Sequence, residues 1–379
     1  MLKKLLISMV TFAITLSTKV VASPNLNAST LNEMESIRSE YNLPSLSVAI
    51  GIKDEIVFAQ AIGYADINNS RLASKDTQYS IGSLAKPMTG LALASLIDSE
   101  KISLKSPVSS YVKTPKYTEL FNVEELAAHL AGIPHDTPER NIAEFEEVKD
   151  HKKPIDAFYV FDKHPLLFEP GTDYKYSSNG YILLSAVVEA AANTDFVGFL
   201  QQSLWSKFGM ENTELDTSVA GLKNEAMYYS DYSKNGTYIE SVKHRDRSFL
   251  FGGGGFISTP SDLVKMAQAT YDNSYLSYKV KKLLVTPIKM RNGKVNSENY
   301  SLGWRVGKIK LMDTEKRKRT VLHHGGVTDR ASNAYLLVIP ECKASIAFAT
   351  NYVPNNFWRI RGRMAKLLIS NIDANTCLN

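Results

Sequence analysis

Two groups of β-rich segments lie at opposite ends of this chain, and their separation constrains the fold more than any other feature. Near the N-terminus, "LSVAIGI" and "EIVFAQAIGYAD" are separated only by Lys53-Asp54, a hairpin signal. Near the C-terminus, "YSLGWRVGKIKLM", "TVLHHGG", "SNAYLLVIP" and "KASIAFATN" are short runs with turn signals between them, the pattern of an antiparallel meander. Helical patterns fill the interval: "GLALASLIDSE", "EELAAHLAGIPHD" with a stop at Gly132, "YILLSAVVEAAA" and "TPSDLVKMAQAT". Thr30-Leu31-Asn32-Glu33 reads as a capping box opening an early helix, and "FWRIRGRMAKLLISNI" closes the chain as an amphipathic one. The economical solution is an α/β (α+β) fold. One central antiparallel sheet is built from both chain ends, about residues 30–95 and 290–379, with an inserted, mainly helical region of about 96–289.

The first 22 residues read as a signal peptide. Lys3 and Lys4 precede an apolar run from Leu5 to Leu16 that is too short to span a bilayer, and Val20-Val21-Ala22 offers a cleavage site. A retained anchor is the alternative. The expected mature chain, 23–379, is then a single catalytic domain, periplasmic or secreted, with no further membrane span. Of the formal net charge of +5, that leader carries Lys3, Lys4 and Lys19 and no acid, which leaves +2. So small a charge argues against nucleic acid as a partner, and "EKRKR" at 315–319 reads as a solvated hairpin tip. Cys342 and Cys377 fit either a bridge, which export would permit, or two separate thiols. The seven histidines include no H-E-x-x-H, so neither a metal nor another cofactor is expected.

Three short segments carry the chemistry. In Ser83-Leu84-Ala85-Lys86, residues three apart share a helix face, so an amine can reach the serine hydroxyl. A serine at its ordinary pKa needs a base, and a lysine serves once its own pKa is lowered. Pro87 is tolerated because the first helical turn has spare N–H groups. In "DYKYSSNGYILL", Tyr176 sits in a turn before an apolar helix and could relay protons, with Tyr174 and Tyr181 as rivals. In "VLHHGGVTDR", strand alternation sends His323 and His324 to opposite faces, His323 sharing its face with Gly325. The N–H of Gly326 could act as an oxyanion donor. "GGGG" at 252–255 lacks the ending of a phosphate loop and reads as a close backbone approach beside a pocket.

Taken in order, these pieces resemble the serine beta-lactamase and penicillin-binding-protein superfamily, and most closely its class C-type beta-lactamase-related serine hydrolases. "YSIGSLAKPMTG" is similar to the nucleophile segment, and "EELAAHLAGIPHD" to a run ending in H-x-S-G-hydrophobic-Pro, with Ala131 in place of serine. "FEPGTDYKYSSNGYILL", "GGGGFISTPSDLVKMA", "YSLGWRV" and "HHGGVTDRASNAYLLVIP" complete the set, from about residue 30 to 370. The resemblance implies a nucleophile at Ser83, a general base at Lys86 and a proton relay at Tyr176. It places His323 in the K-T-G or H-x-G element, with its face on the pocket, and forms the oxyanion hole from the N–H groups of Ser83 and Gly326. Ser178 stands where the family's Y-x-N has its amide, unless Asn179 moves into that place.

A histidine in place of the K-T-G lysine offers no permanent cation to a substrate carboxylate. The expectation is therefore an exported serine hydrolase forming an acyl-enzyme with a small-molecule or peptide substrate, an esterase or peptidase ahead of a true beta-lactamase or D-amino-acid peptidase. "HLAGIPHD" is also similar to the mitochondrial beta-lactamase-like proteases. A non-catalytic penicillin-binding-like protein or an acyltransferase are the other readings, and none of the motifs specifies an oligomeric state.

Overall fold

The computed structural model of the chain describes residues 24–145, 151–217, 224–232, 238–240, 245–311, 317–372 and 377. The leader expected at 1–22 and residues 315–316 of the 315–319 hairpin tip lie outside these residues.

The two chain ends form one antiparallel sheet. Its strands are β1 (Ser45–Ile52), β2 (Glu55–Asp66), β3 (Arg71–Leu72), β4 (Arg305–Ile309), β5 (Arg319–Thr328), β6 (Ser332–Ile339) and β7 (Ala344–Thr350), in the spatial order β3-β2-β1-β7-β6-β5-β4. The first hairpin turns at Lys53-Asp54, where Ile52 pairs with Glu55 and Lys53 takes a left-handed φ of 58°. The seam between the ends is the β1–β7 pair, in register from Ser47 opposite Ala349 to Ile52 opposite Ala344. Strand β1 alternates little because both its faces are covered, which matches its nearly continuous apolar run.

Each sheet face has its own core. Helices α1 (Pro24–Glu40) and α6 (Trp358–Ser370) cover one face, burying Met34, Ile37, Ile360 and Met364 against Val48, Leu337 and Ile346. The other face packs on the helix Pro260–Gln268 and on the Gly82–Leu84 turn, in one apolar core with α2 (Ala85–Asp98), whose "MTGLALASL" run is apolar nearly all round and buried accordingly. Helices α3 (Val123–Ala127), α4 (Ser178–Ala192) and α5 (Pro260–Gln268) complete the part that concerns the site. A disulfide joins Cys342, in the turn before β7, to Cys377 beyond α6, which selects the bridged alternative.

Two helix boundaries differ from the sequence expectation. α1 begins at Pro24, so Thr30 lies inside it and does not cap it. α3 ends at Ala127, not Gly132, because His129 adopts a left-handed φ of 62° that breaks the helix. Residues 130–137 are therefore a loop, buried except near His135 and Asp136, that runs beside the site.

Candidate active site

Ser83 sits in a single 3₁₀ turn, Gly82–Leu84, that runs straight into α2 and places Lys86 in the first α-turn. The lysine side chain is fully buried. Its Nζ lies 3.1 Å from Ser83 Oγ, 2.9 Å from Ser178 Oγ and 2.5 Å from the Gly253 carbonyl oxygen. Gly253 belongs to the "GGGG" stretch, which thus makes the close backbone approach expected of it. Burial, then the Arg140 and Arg305 guanidiniums, hold the Lys86 pKa well below its ordinary value.

Tyr176 lies over this amine, with Lys86 Nζ 4.7 Å from its ring centroid. Burial pushes the Tyr176 phenol up to about 12, against the opposing pull of hydrogen bonding from Ser83 and Ser178 and of Arg305 and Arg140. The phenol is therefore neutral at pH 7. Of its two rivals, Tyr181 spends its hydroxyl on the Ala127 carbonyl at 2.7 Å, and Tyr174 packs edge-on against His129. Asn179 does not take the place of the family amide. Its Nδ2 donates to the Pro134 and His135 carbonyls at 2.9 and 3.2 Å, and Ser178 alone reaches Lys86.

Two histidines, His129 at the break after α3 and His135 in the loop that follows, hold this segment, and sequence reasoning missed both. His129 Nδ1 accepts the Ser177 N–H at 3.2 Å, with its ring 4.5 Å from that of Tyr176. His135 Nδ1 accepts the Ser178 N–H at 2.9 Å. Burial and the neighbouring cations keep both rings neutral, His129 far below its usual pKa and His135 down to about 3. The resemblance of "EELAAHLAGIPHD" to a family segment was the one signal that pointed to them.

Strand β5 requires a correction. The expectation put His323 and Gly325 on the pocket, but the structure does not bring these two into the cluster. The face bearing Leu322, His324, Gly326 and Thr328 is the one turned toward the Ser83 turn. His324 is buried there, its Nδ1–H donating to the Gly325 carbonyl at 2.8 Å and its Nε2 accepting from the Tyr300 hydroxyl at 3.0 Å. Its ring lies 6.2 Å from that of Tyr176. Gly326 packs so closely on the nucleophile turn that a Cβ would collide with the Ile81 carbonyl. His323 and Gly325 face α6 instead, where a Cβ on Gly325 would meet the Arg361 guanidinium. Alternation correctly separated the two histidines, but it carries no information on which face is which.

Arg305, at the start of β4, completes the cluster and was also missed. Its guanidinium stands 5.9 Å from the Tyr176 ring and 5.8 Å from the Tyr300 ring, and it pairs with Glu298. Among the described residues no group of three or more His, Cys, Asp or Glu side chains is placed to hold a metal ion. A buried amine whose pKa is held well below its ordinary value, beside a serine hydroxyl, can take that hydroxyl's proton.

A family model described as Beta-lactamase matches residues 28–370. The chain is similar to the serine beta-lactamase-like protein LACTB, mitochondrial, of Homo sapiens, with 25% identity over 391 residues, spanning 80% of this chain and 70% of that one. It shares its fold with EstCE1, described as a hydrolase with promiscuous acyltransferase activity (TM-score 0.73, 18% identity, 92% of this chain and 98% of that one). It shares it too with a D-stereospecific amidohydrolase from Streptomyces (TM-score 0.72, 18% identity, 89% of this chain and 98% of that one).

Proposed function

Since this chain belongs to the beta-lactamase family of serine hydrolases, we propose that it is an exported hydrolase that acylates Ser83 with ester, amide or peptide substrates. One observation carries the reading. A neutral lysine amine has two N–H donors and one lone pair. Lys86 Nζ lies within hydrogen-bond reach of Gly253 O, Ser178 Oγ and Ser83 Oγ, so a neutral amine can donate to the first two and keep its lone pair for the Ser83 proton.

The steps follow. Ser83 Oγ attacks the substrate carbonyl as its proton passes to Lys86 Nζ. The carbonyl oxygen becomes an oxyanion, received by the N–H groups of Ser83 and Gly326. Collapse of the adduct expels the leaving group, which takes the proton back by way of Ser178 or the neutral Tyr176 phenol. A water molecule then repeats the sequence on the acyl-enzyme and frees Ser83. Esters and peptides are favoured over beta-lactams because the inner-face residue of β5 is a neutral imidazole, not a lysine ammonium. The shared fold with a hydrolase and an amidohydrolase supports the same preference. The Cys342–Cys377 bridge supports an oxidising compartment, hence export.

The test is intact-mass and peptide mapping after exposure to a fluorophosphonate probe. The expected result is a single adduct on Ser83, absent from Ser83→Ala. Lys86→Arg should label as poorly as Lys86→Ala, since a guanidinium cannot serve as base. An adduct on another residue, or an arginine variant with normal labelling, overturns the reading. Mass spectra of the acyl-enzymes formed with esters, D-amino-acid peptides and beta-lactams then rank the substrates.

A further inference from the structure

Ser80 lies three residues before the nucleophile. The structure gives it partners on both sides of the site. Its side chain is fully buried, and its hydroxyl donates to Asp216 Oδ2 at 2.7 Å. With that proton committed, the 3.1 Å contact with Thr328 Oγ1 is donated by Thr328. The backbone on either side of Ser80 is held as well. Its N–H donates to the Tyr228 hydroxyl at 2.8 Å, and its carbonyl accepts from Ser332 Oγ. Asp216 is itself fixed: its N–H donates to the Gly255 carbonyl and its carbonyl accepts the Arg247 N–H, at 2.8 and 2.9 Å.

These contacts join two segments. Ser80 belongs to the one that ends in the Ser83 turn. Thr328 belongs to the inner face of β5, two residues beyond Gly326. Each segment contributes one N–H to the oxyanion hole of the acyl-enzyme reading above, on which this inference rests. An oxyanion hole works through the preset distance and direction of its donors. Close packing of Gly326 on Ile81 sets how near the segments can come. A directional link is still needed to stop one sliding along the other.

We propose that the buried chain Thr328–Ser80–Asp216 is that link, a positioning device that sets the oxyanion donors of Ser83 and Gly326 relative to each other. All three side chains are buried. Their effect acts on the tetrahedral state and not on ground-state binding, so it falls on kcat more than on KM.

The experiment compares Thr328→Val, Thr328→Ser, Ser80→Ala and Asp216→Asn in the full-length protein. The readouts are kcat and KM with p-nitrophenyl acetate, affinity for phenylboronic acid, and Tm. Phenylboronic acid forms a tetrahedral anionic adduct with an active serine and so reports on the hole directly. Thr328→Val, which keeps shape and removes the donor, is expected to lower kcat and boronate affinity together by about 10- to 100-fold, with KM moving less than about threefold. Thr328→Ser should restore both. Ser80→Ala combined with Thr328→Val should cost little more than either alone. If Ser80→Ala or Asp216→Asn does not fold, the two Thr328 variants carry the test. Wild-type kcat and boronate affinity in Thr328→Val overturn the proposal, as does a drop in Tm alone. If the wild-type protein takes no label at Ser83, the acyl-enzyme reading itself has failed. If it labels and Thr328→Val labels equally fast, only the positioning device has.

Discussion

The two faces of strand β5 carry nearly the same residue types and end in different environments. The inner face presents Leu322, His324, Gly326 and Thr328, and the outer presents Val321, His323, Gly325 and Val327. Each has one histidine and one glycine. His324 is locked between the Gly325 carbonyl and the Tyr300 hydroxyl beside the Lys86 cluster, whereas His323 rests near Tyr335 with Arg305 and Arg361 around it. Gly326 meets the backbone of the nucleophile turn, and Gly325 meets the end of a long side chain. What a residue does here is set by the rigidity of its neighbour and not by its type.

The glycines offer the sharpest way to break this comparison. A Cβ at position 326 runs into the Ile81 carbonyl, and backbone cannot step aside without moving Ser83. Gly326→Ala should therefore lower kcat/KM by at least about 100-fold, on the scale of losing an oxyanion donor. At position 325 the obstacle is the Arg361 guanidinium, which can swing away. Gly325→Ala should stay within about threefold of wild type. Equal losses in p-nitrophenyl acetate hydrolysis would mean that the strand moves as a unit and that the face distinction has no functional meaning.

The same comparison marks how far the sequence could be read. The sheet from both chain ends, its hairpin at Lys53-Asp54 and the family were legible because they rest on period-2 patterning, on turn residues and on several short motifs in order. Ser83 and Lys86 were legible as a pair because helical spacing alone brings them together. The phase of β5 was not, since alternation is symmetric and the choice of face depends on which helix packs where. His129 and His135 were invisible as site residues for a related reason. The chain breaks out of α3 at His129, and only the loop that follows sets both rings beneath Ser177 and Ser178. Ser80 carried no local signal because its partners lie 136 and 248 residues away.

The histidines come next in expected size. Removing the inner ring leaves the Tyr300 hydroxyl buried without its partner, a cost of about 1–3 kcal/mol. His324→Ala should accordingly lower Tm by several degrees. Because Tyr176 packs in the same cluster, a drop in kcat of about tenfold should accompany it. His323→Ala should leave kcat/KM within about twofold. The reverse order in steady-state kinetics would return the pocket to the outer face.

The smallest effect expected is one of pH. Burial first, then Arg305 and Arg361, bring the His323 pKa down to about 4, against about 6.5 in the unfolded chain. Between those values the unfolded chain binds a proton that the folded one refuses, so stability rises with pH across the window and is lost as pH falls from about 6.5 toward 4. His323→Gln removes that share of the loss, and its Tm should fall less steeply than wild type over this range. Activity should not follow. Its acid limb reports protonation of Lys86, whose pKa is lowered chiefly by burial and then by Arg140 and Arg305, with His323 absent from that set. The limb of kcat/KM for p-nitrophenyl acetate should therefore keep its midpoint in His323→Gln while the slope of Tm against pH changes. If the midpoint moves by more than about half a unit, the outer ring is electrostatically coupled to the base after all, and the two faces of β5 are not independent.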